Sequence, residues 1–333
     1  MPLVSIVIPT CNRTADLRHC LDVLLRQVPP EGTVEVIVCD DGSSDETRKM
    51  IAAKFPTVRW SQGSRNGPGA NRNLGARMSN AEWLVFVDDD CIPQPGFLDA
   101  YLKAFREAGK QSLFHGLTYP VPELTSLAYE APDVRRPLKI FASCNFAIRK
   151  SLFDATGGFD ERYVISFEDI EYFARLDRLG ADAQCVFGAA VEHPLRPLPV
   201  SSKLGKRWEA RVISTMDLGA SPVQVAIGLP RHVLAVILSR FRGKKLTAEN
   251  ARAALVFVGE FFYVLSHLPR WIQKYANRPR SPFWTEQAGH GQSASALRSL
   301  RACDQAGLPR PRRTAARLRA LSTFCSFTRA ALS

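Results

Sequence analysis

Short apolar runs and amphipathic segments alternate along the first 200 residues. Residues 4–9, 34–39 and 83–87 are short apolar runs that predict strands. The run at 83–87 shows no polar alternation, which is typical of a strand buried on both faces. Leucines after the first run recur every three or four positions, which predicts a helix packed on those strands. This alternation of strand and helix predicts an α/β fold with a mainly parallel sheet flanked by helices.

The rest of the first 200 residues extends this pattern. Further strands are predicted at residues 58–62, 111–118 and 184–191, and a strand pair or one long bent strand at 138–149. Helices are predicted at residues 43–55, 97–108 and 168–180, and within the glycine-rich stretch of residues 63–80. Ser43 with Glu46 fits a capping box at the first of these helices. Residues 119–137 are rich in proline, which predicts a surface excursion or lid.

The pattern changes after about residue 200. Residues 223–239 and 251–268 are rich in apolar residues, but charged residues interrupt both, and both are short for a clean transmembrane span. Two interpretations remain open, namely core helices that pack back on the domain and amphipathic helices that lie in a membrane interface. The predicted organisation is a catalytic domain at residues 1–200, a helical basic and apolar extension at 201–275, and a basic, largely flexible tail at 276–333.

The net charge of +12 is concentrated in the carboxyl third. Residues 1–199 hold 22 Lys and Arg against 26 Asp and Glu, whereas residues 200–333 hold 22 against 6, a net charge of +16. A basic surface of this kind attracts anionic lipid, nucleic acid or phosphorylated substrates. Because the segment shows no motif that reads nucleic acid, we expect an anionic membrane surface as a partner and no nucleic acid.

The cysteines and the amino terminus bear on the compartment. The eight cysteines form no CxxC pair, and several lie inside apolar runs, as buried free thiols do. This predicts a reduced protein without a disulfide scaffold or a zinc site. MPLVSIVIPTCNR has no basic stretch ahead of its apolar run, so it predicts a first strand and not a signal peptide. The expected location is therefore cytoplasmic and peripheral, at the inner face of the cell membrane.

Three consecutive carboxylates, Asp88, Asp89 and Asp90, follow the apolar run at residues 83–87. Like charges this close raise one another's pKa unless a cation lies between them. Ligands of open α/β sheets bind beyond the carboxyl ends of the strands, where these residues are expected. Oxygen ligands favour Mg²⁺ or Mn²⁺, so the sequence predicts a divalent metal site, with a solvated acidic turn as the alternative.

Two further acidic pairs accompany this cluster. Asp40 and Asp41 close the run at residues 34–39, so parallel strands would bring them to the same crevice. Glu168 and Asp169 open a later predicted helix. Ser166 with Asp169 also matches a capping box, and acids are ordinary in a first helical turn, so taken alone this pair favours a helix cap.

Four segments, in this order, resemble the motifs of family 2 glycosyltransferases. They are VSIVIPTCNR, VIVCDDGSSDET, NGPGANRNLGARMSNAEWLVFVDDDC and GGFDERYVISFEDIEYFARL. The resemblance covers roughly residues 2–195 and leaves out the carboxyl third. It implies the GT-A fold, a Rossmann-like α/β architecture. It also implies an inverting, metal-dependent transfer of a sugar from a nucleotide-sugar donor, with UDP the family's common choice. The implied acceptor is a glycan or a lipid-linked molecule in cell-surface polysaccharide synthesis.

The resemblance also implies roles for individual residues. The donor nucleotide and its sugar would lie against Pro9, Thr10, Asn12, Asp40, Asp41, Arg72, Asn73, Asp88, Asp89 and Asn145. Within that set, Asp41 would bind the nucleobase, Asp88 the ribose and Asn145 the donor sugar. Asp90 would bind the metal ion that bridges the diphosphate, with Asp88 as a further ligand. Asp169 would be the catalytic base, with Glu168 beside it on the acceptor side.

His193 is a candidate third metal ligand, because it lies just past the last predicted strand. A nitrogen ligand would favour Mn²⁺ over Mg²⁺. The alternative is a surface histidine before Pro194. The expected cofactor is therefore a divalent metal ion, Mn²⁺ or Mg²⁺.

The implied reaction agrees with these residue types. A cation and an arginine can offset the negative charge of a leaving nucleoside diphosphate, and the acceptor hydroxyl needs a carboxylate base. One base and one metal ion favour a single displacement that inverts the anomeric carbon. Arg207 and Trp208 match the end of a motif of processive synthases, but Leu204 replaces its glutamine, which favours transfer of a single sugar.

Two other functions remain open. A sugar nucleotidyltransferase also combines paired aspartates, a metal ion and a nucleotide on an α/β sheet. Such an enzyme would show a glycine-rich loop after its first strand, whereas PTCNRT has no glycine. The second alternative is a basic protein that binds nucleic acid or membrane on an inactive GT-A scaffold.

Overall fold

The buried apolar runs form strands, as the sequence pattern predicts. The strands of the computed structural model are β1 (Val4–Thr10), β2 (Val34–Asp40), β3 (Arg59–Gln62), β4 (Trp83–Val87), β5 (Ile92–Pro93), β6 (Leu113–Val121), β7 (Tyr129–Glu130), β8 (Asn145–Arg149), β9 (Gln184–Pro194) and β10 (Arg196–Pro197), of which the two-residue strands β5, β7 and β10 were not predicted. The structure describes residues 2–30, 32–42, 44–139, 141–198, 202–241, 247–279, 281 and 283.

The chain forms two compact units. The first unit is Met1–Glu123 with Ala131–Leu195, and the second unit is Leu124–Glu130 with Arg196–Ser333. The helices of the first unit are α1 (Thr14–Leu24), α2 (Glu46–Lys54), α3 (Gly67–Met78), α4 (Phe97–Arg106), α5 (Lys150–Thr156) and α6 (Glu168–Arg178). Those of the second unit are α7 (Ser202–Asp217), α8 (Pro222–Phe241) and α9 (Ala248–Ala276).

One eight-stranded sheet forms the centre of the first unit, in the order β3-β2-β1-β4-β8-β6-β9-β5. The strands β3, β2, β1 and β4 are mutually parallel, and β6 is parallel to β9. The strands β8 and β5 run antiparallel to their neighbours. The mainly parallel sheet, with its helices and the helical second unit, confirms the predicted fold class.

Several element boundaries differ from the prediction. Of the described residues in the region predicted as strand at 138–149, those of β8 form a strand. Residues 141–144 before it form a mostly buried loop, in which Phe141 packs against Phe173 at a ring-centroid distance of 4.0 Å. The last strand is longer than predicted, since β9 pairs with β6 as far as Pro194. His193 therefore lies inside the strand and not beyond it. The predicted cap Ser43 lies outside the described residues, and α2 begins at Glu46.

A layer of aromatic side chains holds α6 against the sheet. Phe86 of β4 stacks on Phe146 of β8 with ring centroids 4.7 Å apart. Phe159 contacts both Phe86 and Tyr172 of α6, at 6.0 and 4.7 Å. Aromatic pairs in these geometries add to the free energy of burial. The start of α6 is thereby fixed near the carboxyl end of β4.

A buried ion pair fixes the other side of α6. Arg175 donates from Nε and Nη2 to the two carboxylate oxygens of Glu171, at 2.9 and 3.0 Å, and both side chains are almost fully buried. Its guanidinium also donates to the backbone oxygens of Thr156 and Gly158. The pair thus ties α6 to the end of α5 and the turn that follows it.

Replacing Arg175 by methionine is expected to destabilise the first unit by about 3–5 kcal/mol, because the buried Glu171 would lose the guanidinium that contacts both of its carboxylate oxygens. Urea unfolding followed by tryptophan fluorescence measures the change. Arg178→Met is the matched control, since Arg178 is exposed on the same helix and should shift stability by no more than about 0.5 kcal/mol. Equal unfolding midpoints for the two variants would contradict the assignment.

The second unit has its own apolar core, formed by α7, α8 and α9. Arg207 binds both carboxylate oxygens of Glu130 at 2.8 and 2.6 Å, and the strands β7 and β10 pair antiparallel. By length and composition, the 29-residue helix α9 is long and apolar enough to cross a membrane, and it exceeds the predicted segment at 251–268. Most of the tail predicted at residues 276–333 lies outside the described residues.

Candidate active site

The first and fourth strands end side by side, and their terminal side chains meet. Thr10 is the last residue of β1 and is paired in register with Asp40 at the end of β2. The Thr10 hydroxyl donates to Asp89 Oδ2 at 2.6 Å. The aspartates that follow β4 therefore lie at the carboxyl edge of the parallel strands, where the sequence places them.

Arg13 binds two of these aspartates. Its Nη1 lies 3.1 Å from Asp89 Oδ1 and 3.2 Å from Asp90 Oδ2. Burial raises the pKa of the Asp89 carboxyl to about 7, and Arg13 opposes that rise. Arg13 is not among the site residues that the sequence predicts. In the sequence, Arg13 is marked only as a basic residue directly after the first strand. No local pattern connects it with Asp89 and Asp90, because they lie 76 and 77 positions away.

Arg72 joins two of the predicted acidic clusters. Its Nη2 donates to Asp88 Oδ1 at 2.6 Å, and its Nη1 donates to Glu168 Oε1 at 3.1 Å. The guanidinium is buried and lies over the ring of Phe159 at 5.5 Å. The structure therefore brings the Glu168–Asp169 pair to the aspartates that follow β4. Arg72 and Glu168 are 96 positions apart in the sequence.

The predicted capping box of Ser166 with Asp169 is wrong, although Glu168 and Asp169 do lie in the first turn of α6. The residue before α6 is Phe167, and no side chain caps this helix end. Phe167 has a left-handed backbone with φ of 75°, so Ser166 lies outside the capping position. Asp169 Oδ1 accepts a hydrogen bond from the Ile170 N–H at 2.8 Å.

The environment of this acidic pair favours protonation. Burial raises the pKa of Glu168, the neighbouring Asp169 raises it further, and Arg72 opposes both effects. Burial also raises the pKa of Asp169, against Arg72 and backbone N–H donors. Asp169 is only partly buried, whereas Glu168 is buried against Arg72. Of the two carboxylates, Asp169 is therefore the more exposed.

Asp40 and Asp41 hold the loop that leads into α3. Asp41 accepts the backbone N–H groups of Arg65 and Gly67, each at 2.8 Å. Asp40 accepts the Gly42 N–H at 2.7 Å and the Trp60 indole N–H at 3.4 Å. Both lie at the predicted edge of the sheet, and their carboxylates position backbone there.

Two predicted donor-site residues use their amides inside the fold. Asn73 donates to Phe159 O and Glu161 Oε1, each at 2.9 Å, and accepts the Phe159 N–H. Asn145 donates to Leu117 O and Ala189 O at 2.8 and 2.9 Å and accepts the Tyr101 hydroxyl at 2.7 Å. Both N–H groups of each amide are thus occupied, so these residues position neighbouring backbone.

Strained backbone borders the same edge. In the part of the chain that the structure describes, the non-glycine residues with positive φ are Asn12, Arg65 and Phe167. Asn12 follows β1 after the buried Pro9 and is exposed, Arg65 binds Asp41, and Phe167 precedes Glu168. Such residues concentrate at functional sites, where the surrounding structure maintains them.

His193 faces Asp90. Its Nδ1 lies 2.8 Å from the Pro194 carbonyl oxygen, which can only accept, so Nδ1 carries a hydrogen. The other nitrogen, Nε2, lies 3.5 Å from Asp90 Oδ1. A histidine held in this way by a carbonyl is the usual arrangement of a metal ligand.

Donor atoms of Asp90, Cys91 and His193 lie within 4.8 Å of one another. A hydrogen bond with Cys144 and burial raise the pKa of the Cys91 thiol, which stays protonated and suits a hard cation poorly. The carboxylate of Asp90 and the imidazole of His193 therefore fit a divalent ion such as Mn²⁺.

Comparisons with known proteins agree with this geometry. The family model for glycosyl transferase family 2 matches residues 5–159. Glycosyltransferase AglE of Haloferax volcanii is 25% identical over 266 residues, which cover 72% of this chain and 86% of AglE. Validoxylamine A glucosyltransferase of Streptomyces hygroscopicus subsp. limoneus is 31% identical over 221 residues, or 54% of this chain. The match covers 49% of the Streptomyces enzyme, so this chain spans about half of its length.

The fold also matches a solved structure. The crystal structure of S. aureus TarS residues 1–349 has a TM-score of 0.51 at 20% identity and covers 91% of this chain and 90% of that chain. At this identity the likeness concerns the fold, and it confirms the predicted architecture.

Proposed function

The chain belongs to glycosyl transferase family 2, and from this premise we propose that it is an inverting glycosyltransferase. It would move a sugar from a nucleotide-diphosphate donor to a hydroxyl group of an acceptor. The observation that carries the proposal is the bridge of Arg72 between Asp88 and Glu168. Through this bridge Glu168 and Asp169 of α6 lie beside the aspartates that follow β4. One site would therefore hold both the nucleotide donor and a general base for the acceptor.

The donor is a nucleotide sugar, most simply a UDP-sugar. TarS residues 1–349 have been crystallised with UDP and with UDP-GlcNAc. We assign the nucleotide to the edge formed by Pro9, Thr10, Asn12, Asp41 and Asp88, with Asp40 and Asp89 beside them. Asn73 and Asn145 support this edge by fixing backbone, since their amides bind inside the fold.

A divalent cation, Mn²⁺ or Mg²⁺, would be held by Asp90 and His193, with Asp88 near by. Such an ion supplies positive charge that offsets the charge of a leaving diphosphate. Arg13 holds Asp89 and Asp90 in place, at 3.1 and 3.2 Å. The nitrogen ligand favours Mn²⁺.

Asp169 is the proposed base. Its carboxylate takes the proton of the acceptor hydroxyl as the oxygen attacks the anomeric carbon and the nucleoside diphosphate departs. A single displacement of this kind inverts the anomeric carbon. Glu168 keeps Arg72 in place on the acceptor side, and the N–H of Ile170 orients the base at 2.8 Å. The acceptor is proposed to be a glycan or a lipid-linked molecule, on the cytoplasmic side of the membrane.

Thermal unfolding with UDP, GDP, dTDP and CDP, each with and without Mn²⁺, tests the donor assignment. A ligand that binds only the folded state must raise the midpoint of thermal unfolding. At a hundredfold excess over Kd it adds roughly 2.7 kcal/mol to the free energy of unfolding. We expect a shift with UDP that requires the metal ion. Absence of a shift with every diphosphate would mean that the acidic edge is not a donor site, and the proposal would fail.

A further inference from the structure

Exposed apolar side chains are concentrated on two helices of the second unit. In the part of the chain that the structure describes, fourteen large apolar side chains are exposed, and ten of them belong to α8 and α9. They are Val223, Ile227, Leu234, Leu238, Phe241, Leu255, Val256, Val258, Phe262 and Leu265, which we call the apolar face. A concentration of this kind marks a surface that binds a partner.

The core of the second unit does not need the apolar face. The helices α8 and α9 already bury opposite side chains, such as Val233 and Val264, together with Val212 of α7. Both helices are therefore apolar on the side that packs and on the side that is exposed. A helix that is apolar all round is normally covered on both sides, in a large core or by lipid.

Basic residues lie within the apolar face and beside it. Residues 222–279 hold nine Lys and Arg against two Asp and Glu. Arg231 is exposed on α8 between Ile227 and Leu234, and on α9 the exposed Arg252 and Arg270 bracket the segment that carries Leu255 to Leu265. An apolar surface that also carries exposed arginines complements anionic lipid, with acyl chains against the apolar side chains and headgroups against the long arginine side chains.

The two acidic residues of this segment bind within the second unit. Glu249 accepts the Ser126 hydroxyl at 2.7 Å, and Glu260 accepts the Trp208 indole N–H of α7. Both carboxylates therefore have a hydrogen-bond partner within the second unit and need none at the apolar face. A second copy of the chain fits less well, since a symmetric contact through this face would bring two basic surfaces together, and the acidic residues of the segment already bind within their own unit.

The geometry also distinguishes a helix that lies on a membrane from one that crosses it. The helix α9 is long enough to cross, but Glu260 lies near its middle and binds α7, and one side of the helix is packed in the core. A helix with one face in protein and one face exposed suits the plane of the interface.

We propose that the apolar face docks the protein on an anionic lipid bilayer, with the side chains of α8 and α9 inserted at the interface and Arg231, Arg252 and Arg270 against phosphate headgroups. This docking does not depend on the reaction. It rests on the second unit alone, whereas the donor site rests on the first, so the two proposals can fail separately.

Vesicle flotation with the full chain tests the docking. The vesicles are phosphatidylcholine mixed with phosphatidylglycerol, and phosphatidylcholine alone. We expect binding to the anionic vesicles, and a loss of about tenfold or more in partitioning for Phe262→Glu. Phe187→Glu is the matched control, because Phe187 lies in β9 of the first unit and both side chains are 62% exposed. The control should bind as the unchanged protein does.

Folding and nucleotide binding are measured on the same variants. Circular dichroism and the UDP-dependent thermal shift should be unchanged in Phe262→Glu, and Leu255→Glu, at a position 72% exposed, replaces it if it does not fold. Equal loss in Phe262→Glu and Phe187→Glu would overturn the proposal, as would no binding to anionic vesicles. A dimer in light scattering that Phe262→Glu dissociates, without vesicle binding, would assign the face to a second copy. A monomeric protein that binds no vesicles would also overturn the proposal. The apolar face would then bind something other than lipid, such as residues 284–333.

Discussion

Asp169→Asn is expected to lower the rate of sugar transfer by about 10²–10⁴-fold, which is the contribution of a positioned general base. The substitution keeps the size of the side chain and an Oδ1 that can still accept the Ile170 N–H. It removes the group that takes the acceptor's proton. Nucleotide affinity should be unchanged, because the base acts on the acceptor and Arg72 keeps its bonds to Asp88 and Glu168. Release of nucleoside diphosphate from the donor sugar in the presence of acceptor measures the rate.

Asp177→Asn is the matched control for this variant. Asp177 is exposed on the same helix, and its carboxylate binds Lys139 at 2.9 Å, so transfer should be nearly unchanged. Two results would count against the role of Asp169. One is unchanged transfer by Asp169→Asn, and the other is loss of its UDP-dependent thermal shift. The second result would place Asp169 in the donor site.

The position of the acidic edge could be predicted from the sequence, because it depends on local rules. Asp40 and Asp88 follow apolar runs, and the carboxyl ends of parallel strands meet at one edge. Thr10 beside Asp40 and the bond from Thr10 to Asp89 agree with that expectation. Local pattern and tertiary structure coincide here because the strands are buried on both faces.

Other features of the site depend on contacts between distant residues, which no local pattern encodes. Arg72 bridges two acids only because α6 packs near the end of β4 through Phe159 and Tyr172. The capping box predicted for Ser166 and Asp169 is wrong for the same reason, since packing places Phe167 at the start of the helix. Asn145 resembles a donor-site residue, yet its amide binds Leu117 and Ala189 of the sheet and the Tyr101 hydroxyl of α4. Composition alone cannot separate a polar side chain that faces substrate from one that joins strands.

Asp90→Asn is expected to abolish the metal-dependent part of the UDP-induced thermal shift, with a loss of Mn²⁺ affinity of about 100-fold or more. The amide keeps the shape of the side chain and lacks the charge that a hard cation requires. Asp99→Asn, at an exposed position in α4, is the control and should keep the full shift. A metal-dependent shift that persists in Asp90→Asn would place the cation elsewhere.

His193→Gln extends the same test. If His193 and Asp90 hold one ion, removal of either should cost most of the metal affinity, and the double variant should lose little more than Asp90→Asn alone. A loss of Mn²⁺ affinity in His193→Gln that is much smaller than in Asp90→Asn, with an unchanged preference between Mn²⁺ and Mg²⁺, would instead mean that His193 supports Asp90 through their 3.5 Å contact without binding the ion. The distinction matters for the choice of metal, because a nitrogen ligand is what favours Mn²⁺ over Mg²⁺. A chain with Asp90 as its single ligand should accept both ions nearly equally.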